Sequence, residues 1–272
     1  MLSTTRTLLH LGAARVADRR HRRPLAPATP EAATWLEQLQ TQGFVVVPNF
    51  YTAAQCTELR REVDRLLADY PATVFRLPDD DRIHGAERVS ELISGYHNDP
   101  RLQHLAELFH QAPITNLFTL ANRVRPVPGG LGSGGGWHRD SVHADQFKTL
   151  LYLTDVPEPG AGAYQYVAHT HTEAALVELV RSGQVGFNQN RLTDAEVQSI
   201  VARSQARYPL HTVTGGAGTL VITNTRGLHR GHPTEQGIRY ALTNYFFARH
   251  HLSTTSETRF RSLFVDREVQ AA

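Results

Sequence analysis

His138 and Asp140 stand two residues apart in the run Gly134-Gly135-Gly136-Trp137-His138-Arg139-Asp140-Ser141. The glycines let the backbone turn without a Cβ penalty. On an extended segment, residues two apart point to the same face. An imidazole beside a carboxylate makes two thirds of the facial set that holds non-haem Fe(II) and leaves positions open for substrate and oxygen. The third ligand must come from elsewhere in the chain.

Spacing alone is a weak signal. With 15 histidines and 26 acidic residues in 272 positions, about one or two His-x-acid triplets are expected by chance. His97-Asn98-Asp99 runs straight into Pro100, His143-Ala144-Asp145 sits in a polar stretch, and His171-Thr172-Glu173 opens a helical pattern. Those three read as surface or capping residues, because nothing downstream completes a site. The triplet at His138 is followed by the strand-like run Phe147 to Leu153 and, much later, by a suitable partner.

That partner lies after the alternating run Thr219 to Thr223, in Asn224-Thr225-Arg226-Gly227-Leu228-His229-Arg230-Gly231-His232-Pro233. His229 is preferred to His232, which precedes proline and belongs to a turn. The next apolar run opens at Ile238-Arg239-Tyr240. If the two runs form a hairpin, His229 and Arg239 face one interior, where a guanidinium suits a bidentate grip on a carboxylate. Small Ala241 and Thr243 share the face of Arg239.

The order Trp-His-x-Asp, a strand, a glycine turn, a distal histidine in Leu-His-Arg-Gly and then Arg239 resembles the phytanoyl-CoA dioxygenase-like branch of the Fe(II)/2-oxoglutarate oxygenases. The segment Gly43-Phe-Val-Val-Val-Pro48-Asn-Phe50 is also similar to that branch. The resemblance spans about Pro30 to Ala248. It implies a double-stranded β-helix, Fe(II) held by His138, Asp140 and His229, and 2-oxoglutarate chelating the iron with its far carboxylate on Arg239. It also implies O2 as oxidant, succinate and CO2 as products, and hydroxylation of a C–H bond in a small molecule. With Asp140 in place, no halide position opens at the metal.

Two departures from the family pattern stand out. Val167-Ala168-His169-Thr170-His171 replaces the usual Pro-Gly-Ser-His, and Gly231 occupies the place of a hydroxyl residue that helps hold the co-substrate. Thr149, on the strand after the first two ligands, is the expected substitute. Substrate choice is expected to fall to residues 79–96 and 184–191, with Arg123, Arg139, Tyr164, Tyr166 and His169 near the mouth. Two rival readings have different requirements. A cupin-like metal enzyme would not need Arg239, and a catalytically silent jelly roll would need no metal.

The elements that must position these residues follow from composition and periodicity. A chain with 40% hydrophobic residues, and no composition break after the first segment, predicts one domain over 30–272, with its jelly-roll core at about 118–250. Residues 1–29 form a basic arm, with Arg6, Arg15, Arg19, Arg20, Arg22 and Arg23 against Asp18. It reads as a short helix or frayed arm ended by Pro24, Pro27 and Pro30, with an organellar transit peptide as the minor alternative to a cytoplasmic location. Beyond it the charge is near neutral, which disfavours nucleic acid as a partner. No apolar run reaches membrane-spanning length. The single Cys56 excludes an internal disulfide and reads as a buried, inert thiol.

Helices are expected from Pro30 to Gly43, from Thr52 to before Pro71, over Arg101 to Phe109 and, with a capping box from Thr193 to Glu196, up to Gln205. Strands are expected at Phe44 to Val47, Phe118 to Val127, Phe147 to Leu153, Tyr164 to Val167, Leu210 to Val213, Gly218 to Asn224 and Ile238 to Ala248. Many short strands with Gly/Pro turns and flanking helices make the fold class mostly β, a double-stranded β-helix or cupin-like jelly roll.

Overall fold

The computed structural model describes residues 2–26, 28–255 and 258. Pro27 and the end of the expected 30–272 domain lie outside the described residues. In chain order the helices are α1 (Leu2–His21), α2 (Pro30–Gln42), α3 (Ala53–Asp69), α4 (Glu91–His97), α5 (Pro100–His110), α6 (Glu173–Arg181) and α7 (Asp194–Arg203). The strands are β1 (Phe44–Val47), β2 (Phe75–Arg76), β3 (Asp80–His84), β4 (Ile114–Val124), β5 (Phe147–Tyr152), β6 (Tyr164–Val167), β7 (Leu210–Val213), β8 (Leu220–Asn224), β9 (His229–Gly231) and β10 (Arg239–Ala248).

The helix ends obey local chemistry. Thr52 and Thr193 each complete a capping box, with Gln55 and Glu196, and satisfy amides that a helix start leaves unpaired. Gly43 ends α2 at φ 90°, in the left-handed region where a side chain is strained. Thr172 caps α6, so the triplet beginning at His171 is a helix start.

Seven strands form one antiparallel sheet in the order β1-β8-β5-β10-β4-β3-β2, and β7-β6-β9 form a second. Strand parity then sorts the side chains. From β5, Phe147 and Leu151 join Leu39, Leu59, Leu66, Tyr96 and Leu105 in the core beneath α2 to α5. Leu150 and Tyr152 face the small sheet, packing with Tyr164 and Val213. A further core joins α6 and α7 to Trp137, Val167 and Leu228. Cys56 is buried under the large sheet, and burial pushes its thiol up to about 11. The result is a jelly roll, two facing sheets with helices on the outer side of the larger one.

Two expectations change. The large sheet begins well before residue 118, because β1, β2 and β3 extend both of its edges. Moreover, β8 and the strand bearing His229 do not form a hairpin with β10. After Asn224 the chain crosses to the small sheet, where β9 pairs with β6, and only then returns to the large sheet as β10. His229 and Arg239 therefore approach one interior from opposite sheets.

Candidate metal and co-substrate site

The three expected ligands converge between the sheets. One ligand atom from each of His138, Asp140 and His229 lies within 4.8 Å of the others. His138 Nε2 is 3.6 Å from Asp140 Oδ1, and His229 Nε2 is 3.6 Å from Asp140 Oδ2. Each imidazole has its Nδ1 2.9 Å from a backbone carbonyl, Gly136 for His138 and Gly227 for His229. Such a bond puts the proton on Nδ1 and leaves the Nε2 lone pair for an ion. The backbones are also tied, His138 N–H to the His229 carbonyl at 2.9 Å and the reverse at 3.0 Å. His232 turns away, with its Nδ1 2.9 Å from the Pro233 carbonyl.

Electrostatics prepare this cluster for a cation. Burial, then neighbouring His138, brings His229 down to about 3, and burial also lowers His138, so both rings are neutral. Burial alone would raise the Asp140 carboxyl, but the Lys148 ammonium beside it holds it well below the usual carboxylate range. Gly134, at φ +93°, lies against the cluster: a Cβ there would stand 2.4 Å from His138 Cε1. A neutral imidazole pair and one carboxylate, with a cavity on their open side, are the donor set that Fe(II) takes.

That cavity has a volume of about 200 Å³, and Arg239 lines it together with the three clustered side chains. Arg239 is 2% exposed, and none of its three guanidinium nitrogens has a hydrogen-bond partner among the described residues. A buried cation without partners costs several kcal/mol, so the geometry fits an anion that completes the site. The far carboxylate of 2-oxoglutarate has the shape for a two-pronged bond to it.

Sequence reasoning missed Lys148. Its Nζ lies 2.6 Å from Asp140 Oδ2 and 3.9 Å from the centre of the Tyr245 ring. Strand parity puts Lys148 on the face opposite Phe147 and Thr149, but which face is inward shows only in the folded sheet.

Thr149 requires a correction. It faces the helices, and its Oγ1 is 2.9 Å from the Tyr96 hydroxyl on α4. The hydroxyls that line the cavity are those of Ser133, Thr223, Thr225, Thr243, Tyr164 and Tyr245. Gly231 carries no hydroxyl for a steric reason: a Cβ there would come 2.9 Å from the Ser133 carbonyl oxygen.

Of the residues expected near the mouth, Tyr164 lines the cavity, as does Arg191 from the 184–191 loop. Arg123 instead pairs with Asp64 and Asp81, His169 bonds the Thr41 carbonyl, and Tyr166 donates to the Asn224 carbonyl. Arg139 is buried, and burial lowers it to about 10. From 79–96, Arg82 reaches the cavity.

Fold and site together define a jelly-roll protein with a facial His/Asp/His cluster beside a buried arginine. The phytanoyl-CoA dioxygenase (PhyH) family profile matches residues 39–241, and the chain belongs to that family. It is 23% identical over 254 residues to an ectoine dioxygenase of Stutzerimonas stutzeri (strain A1501), covering 85% of this chain and 80% of that one. An ectoine dioxygenase of Nocardia farcinica (strain IFM 10152) is 24% identical over 214 residues, 71% of this chain and 70% of its own.

Two solved structures share the fold. SnoN, a non-heme alpha ketoglutarate dependent epimerase from nogalamycin biosynthesis, superposes with a TM-score of 0.59 at 18% identity, over 80% of this chain and 82% of its own. HygX from Streptomyces hygroscopicus, solved with nickel and 2-oxoglutarate bound, superposes with a TM-score of 0.58 at 19% identity, over 83% and 88%. No helix among the described residues is long and apolar enough to cross a membrane.

Proposed function

We propose that the chain is an Fe(II)- and 2-oxoglutarate-dependent dioxygenase that hydroxylates a C–H bond of a small molecule. The observation that carries this reading is Arg239, a buried guanidinium without partners, opening into the cavity that His138, Asp140 and His229 also line. Those three residues would hold the iron, and Arg239 would take the far carboxylate of 2-oxoglutarate. Iron with 2-oxoglutarate and O2 supplies the oxidising power, and the co-substrate leaves as succinate and CO2. Asp140 occupies the position that a halide would need. The carbonyls of Gly136 and Gly227 keep the Nε2 atoms of both histidines unprotonated and aimed at the ion. The jelly-roll walls hold the substrate and keep bulk water out.

On the substrate side, Arg82 is paired with Asp80 and Lys148 with Asp140, while Arg191 is held by the Gly134 and Gly135 carbonyls and keeps a positive charge at the cavity. That charge favours a substrate bearing a carboxylate or phosphate. Anionic and zwitterionic compounds, ectoine among them, form the first screen, read by succinate release.

Anaerobic titration of the chain with Fe(II), then 2-oxoglutarate, tests the site before any substrate is known. A weak visible charge-transfer band in wild type that is absent in His229→Ala supports the reading. A folded, iron-loaded protein that gives no band removes 2-oxoglutarate and favours a cupin-like metal enzyme. Arg239→Ala with full turnover would do the same.

A further inference from the structure

A second group of metal-type side chains lies outside the inter-sheet cavity, and none of its members lines that cavity. Asp18 Oδ1 is 2.8 Å from His250 Nε2 and 2.8 Å from His251 Nε2. These three are, with the cluster at His138, the sets of donors close enough to share an ion among the described residues. Asp18 comes from α1, while His250 and His251 form the 3-10 turn that ends β10. Asp18 is the one acidic residue of α1, so its place opposite two adjacent histidines is not a product of a generally acidic face.

An independent observation comes from α5. His110 Nε2 is buried and has no hydrogen-bond partner. Its ring stands edge-on to His251, at 6.5 Å between centroids, and it lines the same pocket as Asp18 and His251. A buried ring nitrogen left unpaired is costly, and a coordination bond would satisfy it.

We propose that Asp18, His250 and His251 bind a zinc-type divalent cation that fastens α1 to the body of the protein, with His110, which lies outside the 4.8 Å set of donors, closing in as the fourth ligand. Three imidazoles and one carboxylate, without thiolate, are an N/O donor set that Zn(II) takes in tetrahedral sites. Leu11 packs in the core with α6, Arg15 pairs with Glu173, and the His10 ring meets His143 and Phe187, while a groove of about 660 Å³ between Leu8 and Arg15 on α1 and Val177 and Arg181 on α6 leaves that side of the helix open. The cation would add a tie near the C-terminal end of the helix, where Asp18 lies. The proposal is independent of the iron site.

The test uses the untagged full-length chain carrying His138→Ala and His229→Ala, which removes the inter-sheet cluster. Calorimetric titration with Zn(II) is expected to read one equivalent, at least tenfold weaker in Asp18→Asn and abolished by His250→Ala/His251→Ala. Co(II) in place of zinc is expected to give the intense visible bands of tetrahedral coordination. Zn(II) should also slow trypsin cleavage at the exposed Arg19, Arg20 and Arg22. If the variant background does not fold, the wild-type chain serves: two equivalents should fall to one in His250→Ala/His251→Ala. No stoichiometric zinc, or zinc binding indifferent to Asp18, His250 and His251, overturns the proposal.

Discussion

Arg239 offers the sharpest prediction at the scale of single residues. Arg239→Ala is expected to weaken 2-oxoglutarate by about 30-fold or more, the 2–5 kcal/mol lost when one partner of a buried charge pair is removed, while Fe(II) binding persists. Titrating the charge-transfer band against 2-oxoglutarate measures both. Gly134→Ala is expected to act on the other component. A methyl group 2.4 Å from His138 Cε1, at a φ of +93°, displaces the imidazole. Iron affinity should fall at least tenfold with the circular dichroism spectrum unchanged, as read by iron retained after dialysis. Residue-scale features were the most legible in the sequence. His138 and Asp140 were marked out by their spacing and glycine lead-in together with the strand-like run and the distal histidine that follow. Lys148 was not visible as a site residue, because a lysine on an apolar strand shows its role only when the inward face of β5 is known.

Strand parity on β5 also explains the misplacement of Thr149, which lies on the helix-facing side between inward-facing Lys148 and Leu150. Thr149→Val should therefore cost stability, about 1 kcal/mol for the lost bond to Tyr96, and leave 2-oxoglutarate affinity unchanged. A urea midpoint beside the band titration distinguishes the two roles. Elements with strong local chemistry were legible: Thr52 as an N-cap marks α3, the capping box at Thr193 marks α7, and apolar runs mark β5, β6, β7 and β8. The elements that escaped are those whose cause is tertiary. β3 reads Asp80-Asp81-Arg82-Ile83-His84, which looks like a loop until Asp81 meets Arg76, Arg123 and Arg125, and Asp80 meets Arg82. β9 is three residues long, too short for any period, so the passage from β8 to the small sheet was read as a hairpin.

The molecule as a whole should lose stability in mild acid. Burial lowers His84 and His97 to about 4, against 6.5 for an exposed imidazole. Between these values the unfolded chain binds more protons than the folded one, so stability rises with pH through this window. It is fully present above about pH 6.5 and is lost as pH falls toward 4, by on the order of 1–3 kcal/mol per ring. Urea midpoints across pH 4 to 7 should show the slope, and His97→Asn should reduce it. A different consequence follows from the reciprocal backbone bonds between His138 and His229. They fix how far apart the two ring nitrogens can stand, so the span between donors cannot stretch to suit whichever ion arrives. Discrimination then becomes a matter of radius and ligand preference. Mn(II), Co(II), Ni(II) and Zn(II) should compete with iron for the seat, whereas Ca(II), larger and requiring more oxygens, should leave the loaded protein undisturbed even in large excess.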